Sequence, residues 1–267
     1  MKRILLASLA LIATATCVFF LFGESGSPSG QGTRDPIFSN TENKVVSDCP
    51  ESPFVLFLMG QSNAANAIEL GAKTPRTDVF NYYGGNCYHA SYPLLGATGS
   101  KGSLGLLLAD GIETDRPIVI ATLAIGGTKI DQWAHDPEFN SVYSQRADEL
   151  RKQFEVVDLV LWIQGESDID TEILEFSRSL RTFLEMLQRD FPEAQIGLTG
   201  SSYCLGRENP EIVGAQEMVA NDLDMIFLGS TDNFKGSDDR YDDCHFSESG
   251  AAKVSEMILS NLPRLDR

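Results

Sequence analysis

Four short polar clusters in this sequence combine the residue types that carry out acyl transfer. Gly60-Gln61-Ser62-Asn63 offers a hydroxyl nucleophile, and Asp242-Asp243-Cys244-His245 offers a base with a carboxylate three residues before it. Between them lie Gly126-Gly127-Thr128 and Gln164-Gly165-Glu166. A serine hydroxyl is a poor nucleophile until a base takes its proton. His245 is the candidate base: one ring nitrogen accepts the proton and later returns it to the leaving alcohol. Its other ring nitrogen needs an acceptor to fix the tautomer and stabilise the imidazolium. The spacing favours Asp242 for this role, with Asp243 and Glu166 as rival carboxylates. His89 and His135 lack any comparable carboxylate pattern.

The tetrahedral intermediate of such a reaction carries an oxyanion, which preorganised hydrogen-bond donors must meet. The candidate donors are the backbone N–H of Ser62, a backbone N–H from Gly126 or Gly127, and the side-chain amide of Gln164. Paired glycines suit a place where backbone approaches substrate closely. Gln61, Asn63 and Glu166 are read as supporting residues. This chemistry calls for no metal and no organic cofactor, and no Cys-x-x-Cys spacing suggests a zinc site.

The elements that must position these clusters are legible from apolar patterning. Phe54-Val55-Leu56-Phe57-Leu58-Met59 is a continuous apolar run that stops at a polar turn, the signature of a strand buried on both faces. Similar runs cover 77–83, 118–124, 156–163 and 195–200, with a shorter one at 225–228. Helical patterns are expected after Ser62 and over 104–112, 141–155, 171–191, 210–222 and 247–262. The clearest is 171–191, where Ile173, Phe176, Leu180, Phe183, Leu184, Leu187 and Phe191 recur at three- and four-residue intervals, with Asp168 or Asp170 as its cap. Alternating strands and helices imply a parallel sheet covered on both faces. In such sheets ligands bind beyond the carboxyl ends of the strands, where all four clusters fall.

In this order, a Gly-Gln-Ser-Asn block, a Gly-Gly block, a Gln-Gly-Glu block and a closing Asp-x-x-His resemble the SGNH (GDSL-type) hydrolases. The resemblance is in particular to the branch similar to sialate O-acetylesterases and carbohydrate-esterase acetylxylan esterases. Gln164 stands where many SGNH enzymes carry asparagine, as that branch does. The resemblance spans residues 54–262. It implies a three-layer α/β/α sandwich with a mainly parallel, flavodoxin-like, five-stranded sheet. It also implies removal of O-acetyl groups from a carbohydrate (sialic acid, xylan or another acetylated glycan) through a serine acyl-enzyme. A carbohydrate O-acyltransferase and a catalytically silent glycan-binding module are the alternatives. Intact Ser62, His245 and Asp242 argue against silence.

The rest of the chain bounds setting and partners. Lys2 and Arg3 precede an uncharged apolar stretch over 4–22, the layout of a secretory signal. Ala13-Thr14-Ala15 offers a cleavage site, while Val18-Phe19-Phe20-Leu21-Phe22 prolongs the run and makes an uncleaved membrane anchor the competing reading. Residues 23–50, rich in Gly, Ser, Pro, Asn and Thr, read as a flexible linker, with the esterase domain over 51–267. Either reading of 1–22 makes the protein exported, periplasmic or extracellular, with a membrane tether if the anchor stays. Setting Cys17 aside, Cys49, Cys87, Cys204 and Cys244 are then expected to pair as Cys49–Cys87 and Cys204–Cys244. The second bridge would pin the His245 loop to the sheet. The first needs a loop that folds back, because its cysteines flank different strand ends. With 38 acidic against 21 basic residues the formal charge is −17, and no basic cluster invites a nucleic-acid partner. The expected partner is an acetylated carbohydrate. Substrate choice is assigned to the loops at 64–75, 88–102 and 133–140, and Trp133 and Tyr203 are read as packing residues.

Overall fold

A computed structural model of the chain describes residues 37–70 and 76–263. The expected signal or anchor over 1–22 lies outside these residues, as does the first part of the expected linker. Among the described residues, eight strands form one sheet. In chain order they are β1 (Val46–Ser47), β2 (Phe54–Gly60), β3 (Val79–Tyr83), β4 (Asn86–His89), β5 (Ile118–Ala124), β6 (Leu159–Ile163), β7 (Gln195–Gly200) and β8 (Ile226–Ser230). Their spatial order is β1-β4-β3-β5-β2-β6-β7-β8. From β3 to β8 every neighbouring pair is parallel, whereas β4 and β1 are antiparallel additions at one edge. The five strands β5-β2-β6-β7-β8 carry the flavodoxin-like order expected, so the fold class holds. The count of five is corrected to eight, because 225–228 is a full strand and an edge ribbon extends the sheet.

That ribbon turns at Gly84 and Gly85, both with positive φ, and returns the chain antiparallel to β3, pairing Tyr82 with Cys87. This is the fold-back that a Cys49–Cys87 bridge requires, and the bridge is present. Residues 37–50 are likewise held on the domain, against the linker expected there. Ile37 bridges to Thr98, the Phe38 N–H donates to Ala97 O at 2.8 Å, and β1 pairs with β4. Lys44 Nζ donates to Ser91 O at 2.7 Å and Pro93 O at 2.6 Å. Turn-rich composition here reflects satisfied irregular backbone, which composition alone does not separate from a tether.

Among the described residues, six α-helices cover the sheet: α1 (Leu104–Gly111), α2 (Ile130–His135), α3 (Pro137–Gln153), α4 (Ile173–Asp190), α5 (Pro210–Asp222) and α6 (Glu248–Asn261). Alternation along β2 sorts them into layers. Val55, Phe57 and Met59 join the core cluster that includes residues of α2, α3, α4 and α5. Phe54, Leu56 and Leu58 join the one that includes residues of α1 and α6. Full burial of such side chains contributes about 1.5–3 kcal/mol each. In the first layer Trp133, Trp162, Phe139 and Phe183 form an aromatic cluster, with Trp162 and Phe183 centroids 4.5 Å apart. Trp133 is a packing residue, as expected. The segment 133–140, read as a substrate loop, is instead mostly helical. Asp136 caps α3 through the Glu138 N–H and Pro137 occupies its first turn, so that helix starts four residues early. Glu172, not Asp168 or Asp170, caps α4. Asp170 pairs with Arg207 and Asp168 turns inward.

Candidate active site

The β2 and β6 strand ends set the site. Gly60 has φ +138°, and a Cβ there would sit 1.9 Å from Ile163 O. Gly165, with φ +148°, would place one 1.9 Å from Ser201 O. Both turns therefore require glycine. Beyond Gly60 the chain makes one tight turn, in which the Ala64 and Ala65 N–H groups donate to Gln61 O at 2.9 and 3.0 Å. The helix expected after Ser62 does not continue past this turn, and Asn66 instead bridges to Gly99.

Ser62 and His245 line one cleft of about 500 Å³, together with Gln61, Gly126, Gly127, Glu166, Tyr241 and Asp242. That volume suits a small-molecule ligand. His245 sits on the loop before α6. Its Nδ1 is 2.7 Å from Asp242 Oδ2, while Asp242 Oδ1 accepts the backbone N–H groups of His245 at 2.7 Å and Cys244 at 3.1 Å. Asp-x-x-His spacing thus lets the carboxylate fold back over two backbone donors and still reach the ring. Partial burial opposes the Asp242 charge, but the hydrogen bonds from His245 outweigh it and hold the carboxyl below the ordinary aspartate range. The rival Asp243 accepts the Tyr203 hydroxyl at 2.6 Å instead. Tyr203, read as packing, holds that loop.

The third carboxylate does not reach the histidine. Glu166 Oε1 accepts Asn63 Nδ2 at 2.6 Å, and its Oε2 has no partner among the described residues. Burial pushes this carboxyl above the ordinary glutamate range. Asn63 also ties in the histidine loop: its Nδ2 lies 3.3 Å from Cys244 O, and its Oδ1 accepts the Phe246 N–H at 3.4 Å. Two further anchors act on the same loop. The Cys204–Cys244 bridge, as expected, joins it to the segment after β7. Arg240, 1% exposed, donates to Phe234 O at 2.9 Å, Thr231 O at 3.0 Å and Cys244 O. Nothing in the sequence singled out Arg240, because one cation in an acidic loop reads as surface.

The oxyanion donors divide. The backbone N–H groups of Ser62 and Gly127 have no acceptor among the described residues. Gly126 N–H donates to Thr98 Oγ1 at 2.8 Å, and a Cβ on Gly126 would lie 3.6 Å from Ser62 Cβ, so this turn packs against the serine. Gln164 is fully buried behind the cleft. Its Nε2 donates to Thr128 O at 3.0 Å and Asp168 Oδ2 at 2.5 Å. Gly126 and Gln164 therefore have no proton left to offer, which departs from the donor set read from the sequence. The reason is that Asp168, expected at a helix cap, lies buried beside Gln164. Burial raises the Asp168 carboxyl, and the Gln164 amide and Ile130 N–H offset that cost. Among the described residues, no group of three or more His, Cys, Asp or Glu side chains is arranged to hold a metal ion.

Taken together, the site has a serine at a rigid strand end, a histidine with an oriented carboxylate, and unspent N–H groups in one cleft. This is equipment for nucleophilic acyl transfer. Comparison with known proteins agrees. The sequence model of the carbohydrate esterase family described as sialic acid-specific acetylesterase matches residues 52–263. No curated protein matches at the level of sequence. Among solved structures, a protein from Arabidopsis thaliana superposes with TM-score 0.64 at 18% identity, over 80% of this chain and 97% of that one. The protein NanS gives 0.57 at 15% identity, over 80% and 97%. A proposed SGNH hydrolase from Slackia heliotrinireducens gives 0.50 at 15% identity, over 79% and 100%. At these identities the three structures speak for the fold.

Proposed function

The chain belongs to the carbohydrate esterase family described as sialic acid-specific acetylesterase, within the SGNH hydrolases, and on that premise we propose that it removes O-acetyl groups from a carbohydrate through an acyl-enzyme on Ser62. The observation that carries the reading is the 2.7 Å contact between His245 Nδ1 and Asp242 in the cleft that Ser62 lines. With Nδ1 so engaged, Nε2 is the nitrogen free to act as base.

In the proposed sequence Ser62 Oγ bonds to the acetyl carbon while its proton passes to His245. The carbonyl π pair moves onto oxygen, where the N–H groups of Ser62 and Gly127 meet it. Collapse breaks the bond to the sugar oxygen, which takes the proton back from His245. Water then repeats the steps on the acetyl-serine, releasing acetate and restoring the hydroxyl. The family's description makes O-acetylated sialic acid the first glycan to try. Two disulfides suit an exported protein that meets such glycans outside the reducing cytosol.

The test is hydrolysis of a chromogenic acetate ester, followed by acetate release from O-acetylated sialic acid. The wild-type chain is expected to turn over the ester at least about 10³-fold faster than Ser62→Ala. Equal rates would reject the esterase reading. Transfer of acetyl to an added sugar at the expense of free acetate would favour an acyltransferase.

A further inference from the structure

We propose that Lys101 is a specificity-determining residue: its ammonium reads a carboxylate on the acetylated sugar, so that acidic glycans are taken in preference to neutral ones. This rests on the esterase reading above. Lys101 belongs to the 88–102 loop, one of those to which the sequence assigns substrate choice. Among the described residues that line the cleft with Ser62 and His245, it is the one lysine or arginine. Its backbone is fastened to the stretch that follows the nucleophile. The Lys101 N–H donates to Asn66 O at 2.9 Å, and the Gly102 N–H to Ile68 O at 2.9 Å. Asn66 is fully buried, and its Nδ2 donates to Leu94 O at 2.8 Å and Ala97 O at 3.3 Å. Tyr241 is tied to the same stretch, its hydroxyl donating to Ala67 O at 3.1 Å. The Lys101 ammonium lies 3.9 Å from the centre of the Tyr241 ring, which stacks 6.1 Å from the His245 ring. Cation, aromatic ring and base thus follow one another along the cleft.

Cations on so acidic a chain readily find carboxylates, as Arg181, Arg207, Lys235 and Lys253 do. Lys101 forms no ion pair among the described residues. Of the two carboxylates on the cleft lining, Asp242 is engaged by His245 and Glu166 is buried against Asn63. The Tyr241 face attracts the ammonium without supplying an anion, and it leaves N–H donors for a ligand. Tyr241, with the charges of Glu69 and Asp242, holds this ammonium above the ordinary lysine range, so it stays charged. A chain with a formal charge of −17 repels anions at a distance, and an acidic sugar therefore needs a local cation to offset that field. Lysine is a compact charge on a flexible stem, so it reads charge rather than the exact outline of the group. The carboxylate takes no part in acyl transfer. Its contact is therefore equal in ground and transition states, and it shows in KM rather than in kcat.

The test compares acetate release from O-acetylated sialic acid with release from the same sugar whose carboxylate is converted to a carboxamide. Both are run with wild type, with Lys101→Met, of similar length and uncharged, and with Lys101→Arg, which keeps the charge. For wild type the expected KM is about tenfold lower for the acid than for the carboxamide, with kcat within about threefold. Lys101→Met should raise KM about tenfold for the acid and less than about twofold for the carboxamide, a coupling that a merely structural role would not produce. Lys101→Arg should retain most of the preference, and added salt should erode it in wild type. Equal losses of Lys101→Met on the two sugars, or a loss that falls on kcat alone, would overturn the assignment. So would a wild type that cleaves the chromogenic acetate ester but releases acetate from the acid no better than from the carboxamide. That outcome rejects the role of Lys101 and leaves the esterase reading standing, whereas a wild type without turnover of the chromogenic ester rejects both.

Discussion

At the scale of single residues, the arrangement separates two carboxylates that the sequence left as rivals. Asp242 touches the His245 ring, while Glu166 is buried against Asn63. Asp242→Asn is expected to lower kcat by about 10³–10⁴-fold, because the histidine loses the acceptor that sets its tautomer. Glu166→Gln keeps an oxygen for Asn63 and is expected to cost about tenfold or less. The two groups also pull stability in opposite directions with pH. Asp242 titrates lower folded than unfolded, so its contribution is present above about pH 4 and is lost as pH falls through the folded value. Glu166 titrates higher folded than unfolded, so stability is full below about pH 4 and declines as pH rises toward the raised value. Urea unfolding of Glu166→Gln from pH 4 to pH 8 should therefore show less decline with rising pH than wild type. Equal slopes would show that the buried carboxyl does not titrate across this range.

The secondary-structure elements hold these residues at different levels of redundancy. Ser62 depends on one strand end, which is rigid because β2 lies between β5 and β6 at the centre of the sheet. His245 depends on a loop fastened by the Cys204–Cys244 bridge, by Arg240 and by Asn63. Replacing both cysteines of that bridge by serine should destabilise the domain by about 2–4 kcal/mol. It should also lower kcat more than it raises KM, since the loosened loop carries the base and not the main binding surface. Thermal unfolding and steady-state kinetics on the same sample separate the two effects. At this scale the sequence was most legible where apolar runs stop at polar turns. The strands leading to Ser62 and the Gln164 turn announce themselves, and so does the amphipathic stripe of α4. Gly84-Gly85 closes the apolar run over 77–83, and two such residues between extended runs also mark a hairpin, which the chain forms here. The donor set was not legible, because it depends on which proton each amide has already spent, and spacing carries no record of that.

At the scale of the whole molecule, the folded unit reaches further toward the N-terminus than composition suggests. The segment from Ile37 to Cys49 closes one sheet edge and supplies half of a disulfide spanning 38 residues. A chain beginning at residue 51 would lose β1, the Lys44 contacts and that bridge together. It is expected to unfold about 2–5 kcal/mol more easily than a chain beginning at residue 37, as judged by urea denaturation. Indistinguishable midpoints would return this segment to the status of a linker. The same view explains why the cleft lies where it does. Crossover connections send α1 and α6 to one face and α2 to α5 to the other, so the carboxyl strand ends gather Ser62, Gly127, Gln61 and the His245 loop. The central claim is that Ser62 is the acylated nucleophile and His245 its base. Its most direct test is labelling with a nitrophenyl phosphonate ester, followed by peptide mass spectrometry. The account predicts one phosphonyl group per chain, located on Ser62, with labelling slowed at least about 10³-fold in His245→Ala. Labelling of another residue, or an undiminished rate in His245→Ala, would contradict it.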